Sequence, residues 1–175
     1  MLRKARETFG TLTPPPEAER EIPAQAPWLA EAAGLAAGNP EPPGMWNGRR
    51  RLRLVEALDH ATPLKPAWCG IFADHCLSSA LPDHEPPWCF PRARPWRRWG
   101  RPSAPRRGAI LVFWLVARWS PFGHVGFLWD EDETDFHVLG GNQRDRIGLD
   151  RFPKSRLLDC RWPETGVETG ARSGG

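Results

Sequence analysis

The chain has 175 residues, 40% of them hydrophobic, with ten Trp and eight Phe, which suits one globular domain with a real core and argues against a disordered polymer. A net charge of +3 and a pI near 8.9 suit a polyanionic partner or an acidic polymer such as a cell wall, and select neither. No apolar run reaches the ~18 residues that a bilayer span needs, so no membrane span is expected.

Residues 1 to 25 are polar and include Pro14-Pro15-Pro16, which reads as a flexible arm. Met1 to Glu7 carries charge with no apolar stretch behind it, so no secretory signal peptide is expected. Pro27 to Ala36 predicts a short helix with Pro in its first turn. Arg51 to Leu58 predicts a second, with Leu52, Leu54, Val55 and Leu58 as its apolar positions. A third runs from Trp68 to Ala80, with Phe72, Cys76 and Ser79 on one stripe. Residues 82 to 107 are crowded with Pro, Arg and Trp and read as a long loop, broken by one turn at Trp96 to Trp99. The rest reads as strands: Ala109 to Leu115, Val125 to Trp129, Phe136 to Leu139, Ile147 to Leu149 and Leu157 to Trp162. Asp130 to Asp135 is the polar turn between the second and third of these, and the tail from residue 165 is loose. Helices first and strands second predict an α+β fold, with the domain spanning residues 26 to 164.

Within that frame Cys69, His124 and Asn142 form the most complete chemical set. Cys69 opens the third helix, where free N–H groups and the helix dipole favour a thiolate and can hold an oxyanion. His124 opens a strand between Gly123 and Gly126. A turn centred near Asp132-Glu133 sets His124 opposite Gly141, next to Asn142, whose amide can fix the imidazole tautomer. The bland readings stand beside this one: free cysteines are commonly buried and inert, and Gly140-Gly141-Asn142 is ordinary turn chemistry.

The remaining polar residues say less. Cys76 lies on the packing stripe, Cys89 in the long loop and Cys160 in the last strand. The four cysteines match no CxxC spacing and permit disulfides without requiring them. His137 pairs near Leu128, while His60, His75 and His84 read as surface or satisfied histidines. A metal cluster from His75, Cys76, His84 and Cys89 matches no standard spacing, so no metal or other cofactor is expected. Of the 24 Lys and Arg residues, only Lys4, Lys65 and Lys154 are lysine. The segment Pro95 to Arg101 mixes Arg with Trp, as in a nucleic-acid surface, a groove wall, or arginines stacked on half-buried tryptophans.

The ordered motifs Ala67-Trp68-Cys69-Gly70-Ile71-Phe72, Gly108 to Phe113, Gly123-His124-Val125-Gly126-Phe127, Leu139-Gly140-Gly141-Asn142-Gln143 and Arg161-Trp162-Pro163 resemble a bacterial and phage group of small cysteine hydrolases. These are the CHAP domains (cysteine, histidine-dependent amidohydrolase/peptidase), related to NlpC-type cell-wall peptidases. The resemblance covers roughly residues 27 to 163. Relatives carry an acidic residue and Thr-Pro shortly before the Trp-Cys pair, where this chain reads Thr62 to Ala67. The resemblance implies a papain-like fold, with a helical half packed on a small antiparallel sheet. It also implies cleavage of an amide bond in peptidoglycan, with Cys69 as nucleophile, His124 as base, Asn142 as orienting residue, and Trp68, Gly70, Gly123 and Gln143 at the substrate. Peptidoglycan is then the partner, nucleic acid is not expected, and a phage or secretion system would carry the protein to the wall. The competing readings are a cysteine peptidase or toxin acting on protein, and a non-catalytic Arg/Trp-rich binding module.

Overall fold

The computed structural model describes residues 11–12, 22–38, 67–144 and 146–164. Among these, seven strands form one antiparallel sheet: β1 (Thr11–Leu12), β2 (Arg101–Pro102), β3 (Ile110–Trp114), β4 (Gly123–Glu131), β5 (Asp135–Gln143), β6 (Arg146–Pro153) and β7 (Leu157–Trp162). Their order across the sheet is β1-β6-β5-β4-β3-β7-β2. Two helices accompany it, α1 (Pro27–Gly38) and α2 (Cys69–Ala80). The α+β class is therefore as the sequence implied. The expected helix at Arg51 to Leu58 and the tail from residue 165 lie outside the described residues.

One expectation changes and one gains detail. Thr11–Leu12, read as part of a flexible arm, extends the sheet by pairing with Asp150 and Leu149 of β6. Residues 82 to 107, read as a loop with one turn at Trp96 to Trp99, are a loop that also carries the two-residue β2 and is packed through Trp96 and Trp99. A 3-10 turn at Arg94–Arg98 buries Trp96 completely. The indole of Trp96 donates to Phe90 O at 2.8 Å, and that of Trp99 to Glu85 O at 2.7 Å. Buried indoles bring a large apolar area and one donor that must be satisfied, and both needs are met here within the segment itself.

The sheet and α2 share one core. Strand β3 is buried at Ile110, Leu111, Val112 and Phe113. It lies between β4 and β7, so its continuous apolar run has neighbours on both edges. Phe127 of β4 meets Phe72 of α2 at 6.0 Å between ring centroids. The other face of the sheet carries a second aromatic group: Phe113 stacks on Phe152 at 4.7 Å and tilts against Phe136 at 6.2 Å. Helix α1 is fastened by Trp28, whose indole donates to Gly108 O at 2.8 Å and sits edge-on to Trp162 at 5.2 Å. His75 of α2 lies 3.3 Å from Glu31 of α1, joining the two helices.

Several arginines lie over ring faces: Arg106 over Trp162 at 3.4 Å, Arg107 over Trp129 at 4.0 Å and Arg156 over Trp114 at 4.8 Å. For these residues the packing reading of the Arg/Trp content is the observed one, with the guanidinium desolvated on one side by an indole.

Candidate active site

Cys69 is the first residue of α2, and Trp68 caps the helix without a side-chain hydrogen bond. The backbone amides of Cys69 and Gly70, free at the helix start, point at the sulfur, and Val125 N–H of β4 adds a third contact. The β4–β5 register runs no nearer to this end than Phe127↔Leu139, so Val125 stands past the paired part of that ladder. The helix tip reaches this point because Gly70 has no side chain. A Cβ there would lie 1.9 Å from Phe90 O.

Cys69 is 1% exposed. Burial pushes the Cys69 thiol above its ordinary value, against the three amides that pull it down. This reverses the lowering that a helix N-terminus alone would give: desolvation of the anion outweighs the aligned N–H groups. At rest the site holds a neutral thiol.

His124, on β4, pairs with Phe113 of β3 and is also buried. Its ring lies parallel to Phe152, 4.8 Å away and 5° from coplanar. Burial lowers its pKa from 6.5 to about 3, so the imidazole is neutral over the physiological range. The Gln143 side-chain nitrogen stands 3.3 Å from His124 Nε2 and donates to Val138 O at 3.0 Å. The bond to a carbonyl fixes that atom as NH2. His124 Nε2 is then the acceptor, and the proton sits on Nδ1.

The amide that engages the imidazole therefore comes from Gln143 and not from Asn142. The cause is a bulge. Gly140 pairs with Gly148 and Gln143 with Arg146, so β5 advances three residues while β6 advances two. Asn142 takes a left-handed backbone (φ 59) at this point. One extra residue exchanges the faces of everything beyond it, which turns Gln143 to the side that Asn142 would have occupied.

The same alternation separates the sulfur from the ring. A Cβ on Gly141 would press into Trp68 and Phe72 of the helical side, whereas one on Gly140 would meet Gln143 Nε2 and His124 Nε2. Phe127 contacts α2, and His124, three residues earlier, projects to the opposite face. Cys69 thus reaches the backbone beside His124 through Val125 N–H, while the ring approaches from the other side. Among the described residues no hydrogen bond joins the thiol to the imidazole.

The other expected substrate residues have packing positions. Trp68 is buried against Gly141, Gly70 lies under the Phe90 and Pro91 carbonyls, and Gln143 is buried on His124. Gly123 faces the Ala93 and Arg94 side chains and Phe113 O. His137 pairs with Asp130, one bulge away from the Leu128 expected, and its ring meets Asp132 at 3.0 Å. His84 makes a 2.9 Å contact with Asp74 in which both side chains are fully buried, a pair with no advance signal in the spacing of the two residues. All four cysteines are free thiols. No described helix is long and apolar enough to cross a membrane.

Comparison with protein-family models, with curated proteins and with solved structures finds no match.

Proposed function

We propose that the protein is a cysteine-dependent hydrolase of papain-like design that cleaves an amide bond in peptidoglycan. The observation that carries this reading is the convergence of three backbone N–H groups on one sulfur at a helix tip, against the strand residue that follows the histidine. Such donors stabilise negative charge that develops on a substrate oxygen or on the sulfur itself. With Gln143 donating to Nε2 the resting ring carries its proton on Nδ1, so for Nδ1 to accept from the thiol that proton must first move to Nε2, with the Gln143 amide turning its oxygen toward it.

The chemistry starts from neutral partners. Sγ attacks the carbonyl carbon while the S–H proton passes to the imidazole. The C–N bond then breaks as that proton moves to the leaving amine, giving a thioester on Cys69. Water, deprotonated by the same imidazole, releases the acid and restores the thiol. Because the two groups lie on different faces of β4, this transfer requires the start of the strand at Gly123 to Val125 to shift on substrate entry, since side-chain rotation alone does not carry the ring past the backbone. The wall as substrate rests on the motif resemblance and on the basic character of the chain.

Incubation of wild type with purified bacterial sacculi, followed by mass spectrometry of the released fragments, tests this reading and identifies the bond. Release by wild type and its loss in Cys69→Ser is the expected result. Equal release by both would remove Cys69 from the mechanism, and no release by either would remove the wall as substrate.

The burial of Cys69 and the absence of a thiol–imidazole hydrogen bond among the described residues favour a second reading, a binding domain built on a hydrolase-like frame. Sacculi bound without cleavage would support it.

A further inference from the structure

Among the described residues the exposed large hydrophobics are Trp88, Val116, Trp119 and Phe122, with Trp88 at 91% and Trp119 at 88% exposure. All four stand on two loops, residues 81–93 and 115–122. Neither loop is loose. In the second, Ser120 N donates to Ala117 O at 3.0 Å and Phe122 N to Ser120 Oγ at 3.2 Å. Arg94, next to the first loop, donates to the carbonyls of Arg118, Ala117 and Phe122, which ties the two together. In the first, Arg92 N donates to Cys89 O, and Cys89 holds a left-handed backbone (φ 60). A rigid loop that keeps an indole in water has not collapsed onto its own core, and exposed apolar patches of this kind mark interaction sites.

Both loops border the candidate active site. Phe90 O and Pro91 O rest on Gly70, beside Cys69, while the Ala93 and Arg94 side chains rest on Gly123, beside His124. The first loop opens with the exposed acids Asp83 and Glu85, and beyond them the charge is positive: residues 86 to 129 contain eight arginines and no Asp or Glu. Arg94 has its pKa lowered by partial burial and by the neighbouring charges of Arg97 and Arg118, so three guanidinium groups gather where the loops meet. Arg97 finds Asp159 at 3.7 Å, while Arg118 and Arg92 are exposed.

The geometry points to a substrate platform in which Trp88 and Trp119 stack on the sugar faces of a peptidoglycan strand and Arg118 pairs with its stem-peptide carboxylates. This rests on the hydrolase reading and extends it from the reacting atoms to the polymer that is held. Indole offers a broad amphipathic face that pyranose rings can cover, and the exposed Arg92 and Arg118 give the platform a cationic side complementary to an anionic polymer.

The test is co-sedimentation of the full chain, carrying Cys69→Ser to prevent turnover, with purified sacculi. Trp119→Ala and Arg118→Glu should each weaken binding about tenfold, equivalent to ~1.4 kcal/mol, with unchanged circular dichroism. Trp88→Ala should act in the same direction. Cleavage by otherwise wild-type protein is read in parallel. Unchanged binding in all three variants, with cleavage intact, would overturn the platform and leave the hydrolase standing. Weakened binding with no cleavage by the parent would keep the platform and remove the hydrolase. A single-stranded oligothymidylate bound more tightly than sacculi through the same residues would overturn the wall assignment in favour of nucleic acid.

Discussion

At the scale of single residues, burial governs both Cys69 and His124. The unfolded chain protonates His124 near pH 6.5 and the fold only near 3. Between these values the unfolded state holds a proton that the native state does not, so stability rises with pH across that window. The contribution is whole above 6.5 and is lost as pH falls toward 3. Urea unfolding at pH 7 and at pH 4 should therefore differ by a few kcal/mol, and His124→Phe, which keeps a ring on Phe152, should remove much of that difference. An equal difference in wild type and variant would assign the acid sensitivity to other groups. The raised Cys69 thiol has its own consequence: at pH 7 iodoacetamide should label half-buried Cys89 before Cys69. Faster labelling of Cys69 would mean that an activated thiolate already exists at rest. On wall substrate, Gln143→Ala should lower kcat/KM by 10-fold or more (about 1.4 kcal/mol), with Asn142→Ala the milder change. The reverse order would restore Asn142 as the orienting residue.

At the scale of elements, the site depends on how closely the tip of α2 meets its neighbours. Gly70→Ala sets a methyl 1.9 Å from Phe90 O, a backbone atom that cannot swing aside. The helix or the loop has to move, and the expected cost is about 1–3 kcal/mol, read as a lower unfolding midpoint. A fully stable Gly70→Ala protein would show that the contact is loose. Much of this level was legible in the sequence. The run from Ala109 to Leu115 marked β3, the polar turn before Asp135 marked the hairpin, and Trp68 to Ala80 marked α2 to within one residue. What was not legible has a common cause. The exchange of Asn142 for Gln143 comes from a one-residue bulge, and neither residue carries a signal for it, since Gly-Gly-Asn suits a turn as well as a bulge. Strand β1 is two residues long, below the length at which alternation can be read. The order of the segment from 82 to 107 comes from indoles bonding to backbone carbonyls, which composition does not reveal.

At the scale of the whole molecule, one antiparallel sheet carries the imidazole on one face and receives the helix bearing the thiol on the other. At the start of β4, Val125 N–H contacts the thiol next to His124 in the chain. The basic, aromatic loops gather at that same end. The charge pattern and the cysteine–histidine order were both legible before folding. That they share one end of the sheet was not, because it depends on long-range contacts: Arg94 with the loop before β4, and Gly70 with Phe90. The central claim is that the Cys69 sulfur forms a bond to the substrate carbonyl. Its most direct test is an acid quench of wild-type protein mixed with wall fragments, followed by digestion and mass measurement of the peptide containing Cys69. The account predicts an acyl adduct on that peptide that hydroxylamine removes. Wall cleavage that proceeds with Cys69 unmodified, or that persists in Cys69→Ala, would contradict it.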